Sequence, residues 1–315
     1  MSDAVSDLRA TVESFFASTF STDNPLITEA VRRMLAAGGK RLRPRITLLA
    51  VDACGGNALD HLHLAAYMEL IHVATLIHDD VVDNASTRRG VNATAVDYGN
   101  RVSVLAGDYL FAWIFKNVTL NYPHPVPHVL SATLADICDG EVLQLRALGD
   151  LDLTPDRYVE IARKKTASLF AASAECGAIM GGGGPSEIAG LRAYGEAFGI
   201  AFQMKDDLLD IVADERSLGK PVGNDLTERK VTIPLIEALA SGNGTFRTEV
   251  RRFYDESANE GIAAIAGGIE RQGGLAATRS HIAHFAERAK AAVEPLAPGA
   301  AKEELSRLAD TLREE

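Results

Sequence analysis

Along most of the chain apolar residues recur three and four positions apart, the period of one face of an α-helix. Between Asp60 and Asp83 the residues Leu62, Ala65, Ala66, Leu70, Val73, Ala74 and Ile77 form one such stripe. The same pattern predicts helices over Val102 to Leu120, His128 to Leu148, Pro155 to Met180 and Glu187 to Val212. The last third predicts shorter helices, broken at Ser241 to Gly244, Gly267-Gly268, Gly273-Gly274 and Pro298-Gly299. Alternating β-branched runs with hairpin turns are missing, so no sheet is predicted. The punctuation lies between helices, at 36–39, 84–92, 122–127, 181–185 and 214–229, and no Pro/Ser-rich connector divides the chain. The expected fold class is all-α, a single large helical bundle in one domain spanning 1–315. The four glycines at 181–184 read as a helix end, not as a domain boundary.

Composition narrows the function. The 315 residues carry 32 Lys+Arg against 43 Asp+Glu, a formal charge of −11 with no basic stripe. No nucleic-acid partner and no electrostatic docking on anionic lipid are expected. The opening residues Met1 to Asp7 are acidic and lack a cationic leader region. The stretch free of charge from Asn117 to Ala135 holds Pro123, Pro125 and Pro127, so it cannot span a bilayer as one helix. Cys54, Cys138 and Cys176 form no CxxC pair and read as ordinary packed thiols of a reducing compartment. The expected location is cytoplasmic.

Two aspartate clusters carry the candidate chemistry: Asp79-Asp80-Val81-Val82-Asp83 and Asp206-Asp207-Leu208-Leu209-Asp210. Each ends a long apolar helix, and its first and last aspartates, four apart, share a helix face. Carboxylates crowded there suffer desolvation, mutual repulsion and the negative end of the helix dipole. Hard divalent cations relieve that strain, and carboxylate oxygen is the ligand Mg²⁺ prefers. One such cluster reads as a solvated acidic helix end; two, each in an apolar helix, point to metal. Mg²⁺ held by few carboxylates usually binds substrate phosphate as well. Cations stand near both clusters: Gly38-Gly39-Lys40-Arg41-Leu42-Arg43-Pro44, Thr87-Arg88-Arg89-Gly90, Gly219-Lys220-Pro221 and Arg229-Lys230. Arg suits diphosphate through its planar donor fork and Lys as a compact charge.

With GGKRLRP, DDVVD, TRRG and FQMKDDLLD in this order, the chain resembles the trans-isoprenyl diphosphate synthase (polyprenyl synthetase) family, in particular its long-chain, octaprenyl-type members. The resemblance implies the isoprenoid synthase fold, a helical bundle around a central active-site cavity. It implies a prenyltransferase that condenses isopentenyl diphosphate onto an allylic diphosphate. Asp79 and Asp83 would bind two Mg²⁺ and Asp206 a third, with Asp80, Asp207 and Asp210 as neighbouring ligands or acceptors. Arg88, Lys165, Lys220 and Lys230 would hold the allylic diphosphate. Lys40, Arg43, His72 and Arg89 would hold that of isopentenyl diphosphate. Thr166 and Gln203, with Lys165, would line the place where the allylic cation develops. A homodimer is implied too. No stable membrane insertion is expected, with transient contact at a bilayer as one route of product release.

Product length is expected to be set below the first cluster. In the resembling family a bulky aromatic about five residues before the first aspartate closes the pocket for short products. Here Ala74 and Thr75 are small, so the tunnel should continue to the level of Ile71, Met68 or Tyr67, and a hexaprenyl to nonaprenyl product is expected. A short-chain farnesyl or geranylgeranyl synthase is the alternative. A terpene cyclase is expected to carry an Asn/Ser/Glu metal motif where this chain has Asp206 to Asp210, and to lack a second diphosphate grip. A non-catalytic subunit of a heteromeric synthase could lose a metal aspartate or arginine, and none is missing here.

Overall fold

The computed structural model of the chain describes residues 14, 20, 22–88, 90–212, 223–242, 244–256 and 261–314. Helices account for nearly all the regular structure among them. They are α1 (Pro25–Ala36), α2 (Leu42–Ala53), α3 (Leu62–Val82), α4 (Thr94–Asn121), α5 (Val126–Arg146), α6 (Pro155–Ala162), α7 (Ser168–Met180) and α8 (Pro185–Val212). After these come α9 (Asn224–Thr227), α10 (Ile233–Ser241), α11 (Gly244–Glu256), α12 (Ile262–Arg271), α13 (Gly274–Val293) and α14 (Ala300–Asp310). Two two-residue strands, β1 (Thr87–Arg88) and β2 (Val91–Asn92), pair antiparallel in the loop after α3, a hairpin too short for a hydrophobic pattern to announce. No helix among the described residues is long and apolar enough to cross a membrane.

The contacts gather in two compact units. The first takes the described residues up to Ala132 with Ala172–Arg192 and Pro295–Glu304. Its centre is α3, packed against α1, α2 and α4. From Leu64 to Ile71 every side chain of α3 is buried, Glu69 included. Glu69 survives there because Arg41 Nη1 donates to its Oε1 at 2.8 Å, while Arg41 Nη2 donates to the Leu35 carbonyl at 2.7 Å. Both side chains are about 3% exposed, so neither could keep its charge without the other. Arg41 also holds positive φ (48°), an unusual conformation for a residue with a side chain. Within GGKRLRP, therefore, Arg41 ties the loop to α3, while Lys40 alone of the basic residues lies exposed and Arg43 is buried.

The glycine run behaves as expected of a helix end. Gly183 N–H reaches the Ala178 carbonyl at 2.9 Å, Gly182 N–H the Ile179 carbonyl at 3.1 Å, and Gly182 has φ +81°. This is the Schellman termination of α7, which needs a residue without Cβ at the left-handed position.

The second unit takes Thr133–Ala171, Ala193–Glu294 and the residues after Leu305. Here α10 packs against α6, α12 and α13. Two expectations change. The predicted helix Pro155 to Met180 is interrupted by a π-helical turn at Arg163–Ala167, the wide i→i+5 turn that recurs at functional sites. Gly140 of α5 lies flat on that turn: a Cβ there would stand 2.4 Å from Lys165 N. The Gly267-Gly268 pair does not break a helix but sits inside α12, where a Cβ on Gly268 would strike the Phe246 ring at 2.2 Å. The break comes at Gln272-Gly273, with Gly273 left-handed. Of the three cysteines, packing accounts for the buried Cys176 and half-buried Cys54, while Cys138 is exposed.

The ion pair under GGKRLRP yields a prediction. Glu69→Ala leaves the Arg41 guanidinium buried without its carboxylate, so stability should fall by about 3–5 kcal/mol. A urea titration followed by circular dichroism measures it; an unchanged midpoint would show the pair to be dispensable.

Candidate active site

In the first unit the aspartate cluster closes α3. Asp79, Thr75 and His72, at four- and seven-residue spacing, share one helix face and are all partly exposed. One turn further, Met68 on the same line is fully buried. Asp83 caps the helix, its N–H donating to the Asp79 carbonyl at 2.8 Å. Asp80 points the other way and has no exposed surface. Arg88 from β1 meets it, with Nε and Nη2 at 2.7 and 2.6 Å from Oδ1. Asp80 Oδ2 has no hydrogen-bond partner among the described residues. Burial raises the Asp80 pKa, opposed by the Arg88 charge. Arg88 thus stands beside the cluster as expected, and its ion pair is with the buried aspartate of the three.

Ala74 and Ile71 are fully buried, Thr75 is not. Tyr67, three residues before Leu70 on the same helix, sets its ring edge-on against Trp113 at 5.8 Å and Tyr122 at 6.2 Å. This aromatic group lies twelve residues, about 18 Å of helix, before Asp79.

In the second unit several of the expected residues meet around one small pocket. Lys165, Thr166, Gln203, Asp207 and Lys230 line it, together with Tyr158 and the apolar Leu153, Ile161 and Val231. The backbone explains the meeting. On α8, Gly195, Gly199, Gln203 and Asp207 are spaced by four and share one face. A Cβ on Gly195 would stand 2.4 Å from the Phe170 carbonyl oxygen, and one on Gly199 2.5 Å from Ala167 Cα. The glycines bring α8 down onto the π turn and the start of α7, and the next two residues of the row reach across. Thr166 Oγ1 donates to Gln203 Oε1 at 2.6 Å, and Gln203 Nε2 donates to Asp207 Oδ1 at 2.8 Å. The other Asp207 oxygen, Oδ2, accepts from the Tyr158 hydroxyl at 2.5 Å.

Charge is distributed unevenly within this cluster. Asp206 is exposed, whereas Asp207 and Asp210 are buried. Asp210 Oδ2 accepts from Asp225 N–H at 3.0 Å, which joins α9 to α8. Burial pushes the Asp207 pKa up to about 7, against the two donors that favour its ionised form. The lysines have partners. Lys165 Nζ lies 2.5 Å from Glu141 and 2.5 Å from Gln144, and Lys230 Nζ lies 2.5 Å from Glu228. Arg89 and Lys220, expected at the diphosphate positions, lie outside the described residues.

Among the described residues no three acidic, His or Cys side chains converge on one point as a finished metal cage. The donor set nevertheless fits Mg²⁺, which takes one or two carboxylates and completes its shell with water and substrate phosphate. Asp79 and Asp83 offer such a pair on one face, and Asp206 offers an exposed carboxylate. The buried Asp80 Oδ2, without a hydrogen-bond donor, fits a cationic neighbour.

Tyr158 is the residue of this pocket that local reasoning passes over. Its signal was present: it precedes Lys165 and Thr166 by seven and eight positions, about two helical turns. Gln144 and Glu141 gave no comparable signal, because their meeting with Lys165 depends on the close approach at Gly140.

The raised pKa of Asp207 has a measurable sign. Between its ordinary value of 3.8 and about 7 the folded chain holds a proton that the unfolded chain releases. Stability should therefore fall through that window as pH rises. Asp207→Asn removes the charging step, so its denaturation midpoint, relative to the parent chain, should climb between pH 4.5 and 8. Parallel curves for the two proteins would show that Asp207 does not titrate there.

The profile of the family described as polyprenyl synthetase matches residues 24–266. The chain is 38% identical over 292 residues to a short chain isoprenyl diphosphate synthase of Methanothermobacter thermautotrophicus, covering 91% of this chain and 90% of the relative. It is also 38% identical over 288 residues to octaprenyl diphosphate synthase of Escherichia coli, covering 91% and 89%. A polyprenyl synthase of Caulobacter crescentus, solved in complex with calcium and isoprenyl diphosphate, superposes with a TM-score of 0.94 at 35% identity, covering 99% of this chain and 96% of that one. The all-α architecture is the isoprenoid synthase fold. With the family profile over most of its length, near-complete relatives at this identity and the aspartate clusters on α3 and α8, the chain belongs to the polyprenyl synthetase family and is a prenyltransferase.

Proposed function

We propose that the chain, working as one domain, condenses isopentenyl diphosphate head to tail onto an allylic diphosphate and makes a long-chain trans-polyprenyl diphosphate, hexaprenyl to nonaprenyl. What carries the reading is the second-unit pocket, where Lys165, Thr166, Gln203, Asp207 and Lys230 meet. A cationic rim beside a polar, half-buried wall is what a departing diphosphate and a developing carbocation require. Lys165, Lys220, Lys230 and Arg88 hold the allylic diphosphate. Lys40, Arg43, His72 and Arg89 hold that of isopentenyl diphosphate. Asp79, Asp83 and Asp206, supported by Asp80, Asp207 and Asp210, are the residues for three Mg²⁺, which supply the charge that stabilises the leaving diphosphate.

The chemistry balances without a side-chain base. The allylic C–O bond breaks with its electron pair going to diphosphate. The double bond of isopentenyl diphosphate attacks the allylic cation beside the Thr166 hydroxyl and the Gln203 carbonyl. Loss of a proton to the released diphosphate restores a double bond, and the chain is five carbons longer. Water would quench the cation, so the apolar Leu153, Ile161 and Val231 are as necessary as the charges.

Identity alone does not choose the product, since the short-chain and octaprenyl relatives match equally well. Ala74 favours the longer one: it offers no bulk at the level where an aromatic would stop growth, and the next aromatic on α3, Tyr67, lies seven residues further down. The exposed Val104, Leu105 and Tyr109 on α4 support a homodimer. The cytoplasm is the proposed location.

Labelled isopentenyl diphosphate and Mg²⁺, incubated with dimethylallyl, geranyl, farnesyl or geranylgeranyl diphosphate, should give linear products longer than a geranylgeranyl standard on chromatography. Cyclic products would point to a cyclase, and no product to a partner-dependent subunit. Asp79→Ala and Asp206→Ala should each lower turnover by at least about 10²-fold with the circular dichroism spectrum retained; unfolding of both would make the clusters structural. Ala74→Phe should shorten the product while condensation continues. An unchanged product spectrum would remove Ala74 from the tunnel wall.

A further inference from the structure

Gln203 is an amide, and the two ends of an amide do opposite things. Its carbonyl oxygen offers negative charge to a cation; its amino group offers positive charge. Which end faces the pocket is decided by the neighbours. Asp207 in its ionised form only accepts, so the amino group of Gln203 turns to it and the carbonyl turns to Thr166. That choice holds only while Asp207 itself is held. One oxygen is engaged by Gln203, and the other by the hydroxyl of Tyr158, a residue of α6 that is 5% exposed.

We propose that Tyr158 is a positioning residue for prenyl transfer: by clamping Asp207 it fixes the Gln203 amide with its carbonyl oxygen toward Thr166 and the pocket. The proposal rests on the prenyl-transfer reading of this site. Two donors on two oxygens leave the carboxylate a single rotation about its Cβ–Cγ bond. Without the phenol, Oδ2 is a buried acceptor without a donor, and the cheapest remedy is rotation of the carboxylate toward other donors. Gln203 Nε2 then loses its acceptor and the amide is free to reverse. The reversed amide presents N–H groups where positive charge develops. Asp207 also becomes an anchor rather than a site of exchange, since both its oxygens are occupied inside the protein.

The test is a double-mutant cycle. Tyr158→Phe removes one oxygen and keeps the ring in place. With isopentenyl diphosphate, Mg²⁺ and the starter the parent chain uses best, kcat should fall roughly 10-fold or more, with both KM values within about threefold. In a Gln203→Ala background the same change should have almost no further effect on kcat, because the group it positions is gone. Melting temperatures are taken for all four proteins, and rates are read at least 10 °C below the lowest. An undiminished kcat in Tyr158→Phe, or a loss that multiplies with that of Gln203→Ala, overturns the proposal. A parent chain that makes no elongated product from any starter overturns the functional reading instead, and the two failures are distinct.

Discussion

A carboxylate inside a protein is expensive unless something donates to it, and this chain buries Asp80 in the first aspartate cluster and both Asp207 and Asp210 in the second. Asp80 is answered by Arg88, Asp207 by Tyr158 and Gln203. Arg88 and Tyr158 come from outside the helix that carries the aspartate, while Gln203 lies one turn before Asp207 on α8 itself, so the surroundings of each cluster are fixed by the need to satisfy it. Burial of an isolated charge costs several kcal/mol, more than any one of these hydrogen bonds returns. The carboxylates left on the outside of each cluster, Asp79 and Asp83 in one and Asp206 in the other, carry no such debt to the core. Burial therefore divides each cluster into aspartates held within the protein and aspartates left at its surface, and it is the second kind that the proposed function gives to substrate and metal.

That division needs backbones closer than ordinary side chains permit. In the second unit Gly195 and Gly199 let α8 rest on the π turn and the start of α7, and Gly140 lets α5 rest on the same turn. With α8 one side chain further away, Gln203 would fall short of Thr166 and Asp207 would fall short of Tyr158. The turn at Arg163–Ala167 matters for the same reason. A π turn inserts one residue into the helical phase, so Lys165 and Thr166 project differently from an uninterrupted helix. The geometry of this pocket is then a property of three close contacts, each removable by a single methyl group.

How much of this a reader of the sequence can see depends on the range of each interaction. The long helices, the aspartate clusters on α3 and α8 and the helix end at Gly181 to Gly184 follow from local period and turn chemistry. Arg41 does not: in a basic run it reads as one more solvated cation, and its partner Glu69 is 28 residues away. Gly267-Gly268 misleads because glycine in a helix and glycine at a break look alike until Phe246 is seen against it. Tyr158 lay within reach of a helical-period argument from Lys165-Thr166, yet its importance depends on Asp207, 49 residues on. Local pattern reveals which elements exist and where charge is concentrated; which charge faces inward is settled by contacts across tens of residues.

The cations show the same distinction in what binding must cost. Lys165 with Glu141 and Lys230 with Glu228 are partly exposed pairs, and such pairs are worth only about 0–1 kcal/mol. In the proposed function a diphosphate, which accepts several charge-assisted hydrogen bonds at once, takes those lysines at little loss. Arg88 differs. Its partner Asp80 has no exposed surface, and stripping a buried carboxylate of its cation costs about 3–5 kcal/mol. It need not be stripped: Nε and Nη2 stay on Asp80 Oδ1, and in the proposed function Nη1 is the nitrogen left for phosphate. A lysine at this position would have to reach both partners from one nitrogen, without the rigid, separated donors of a guanidinium. The burial of Asp80 therefore favours the planar fork of arginine at this position before any ligand is considered.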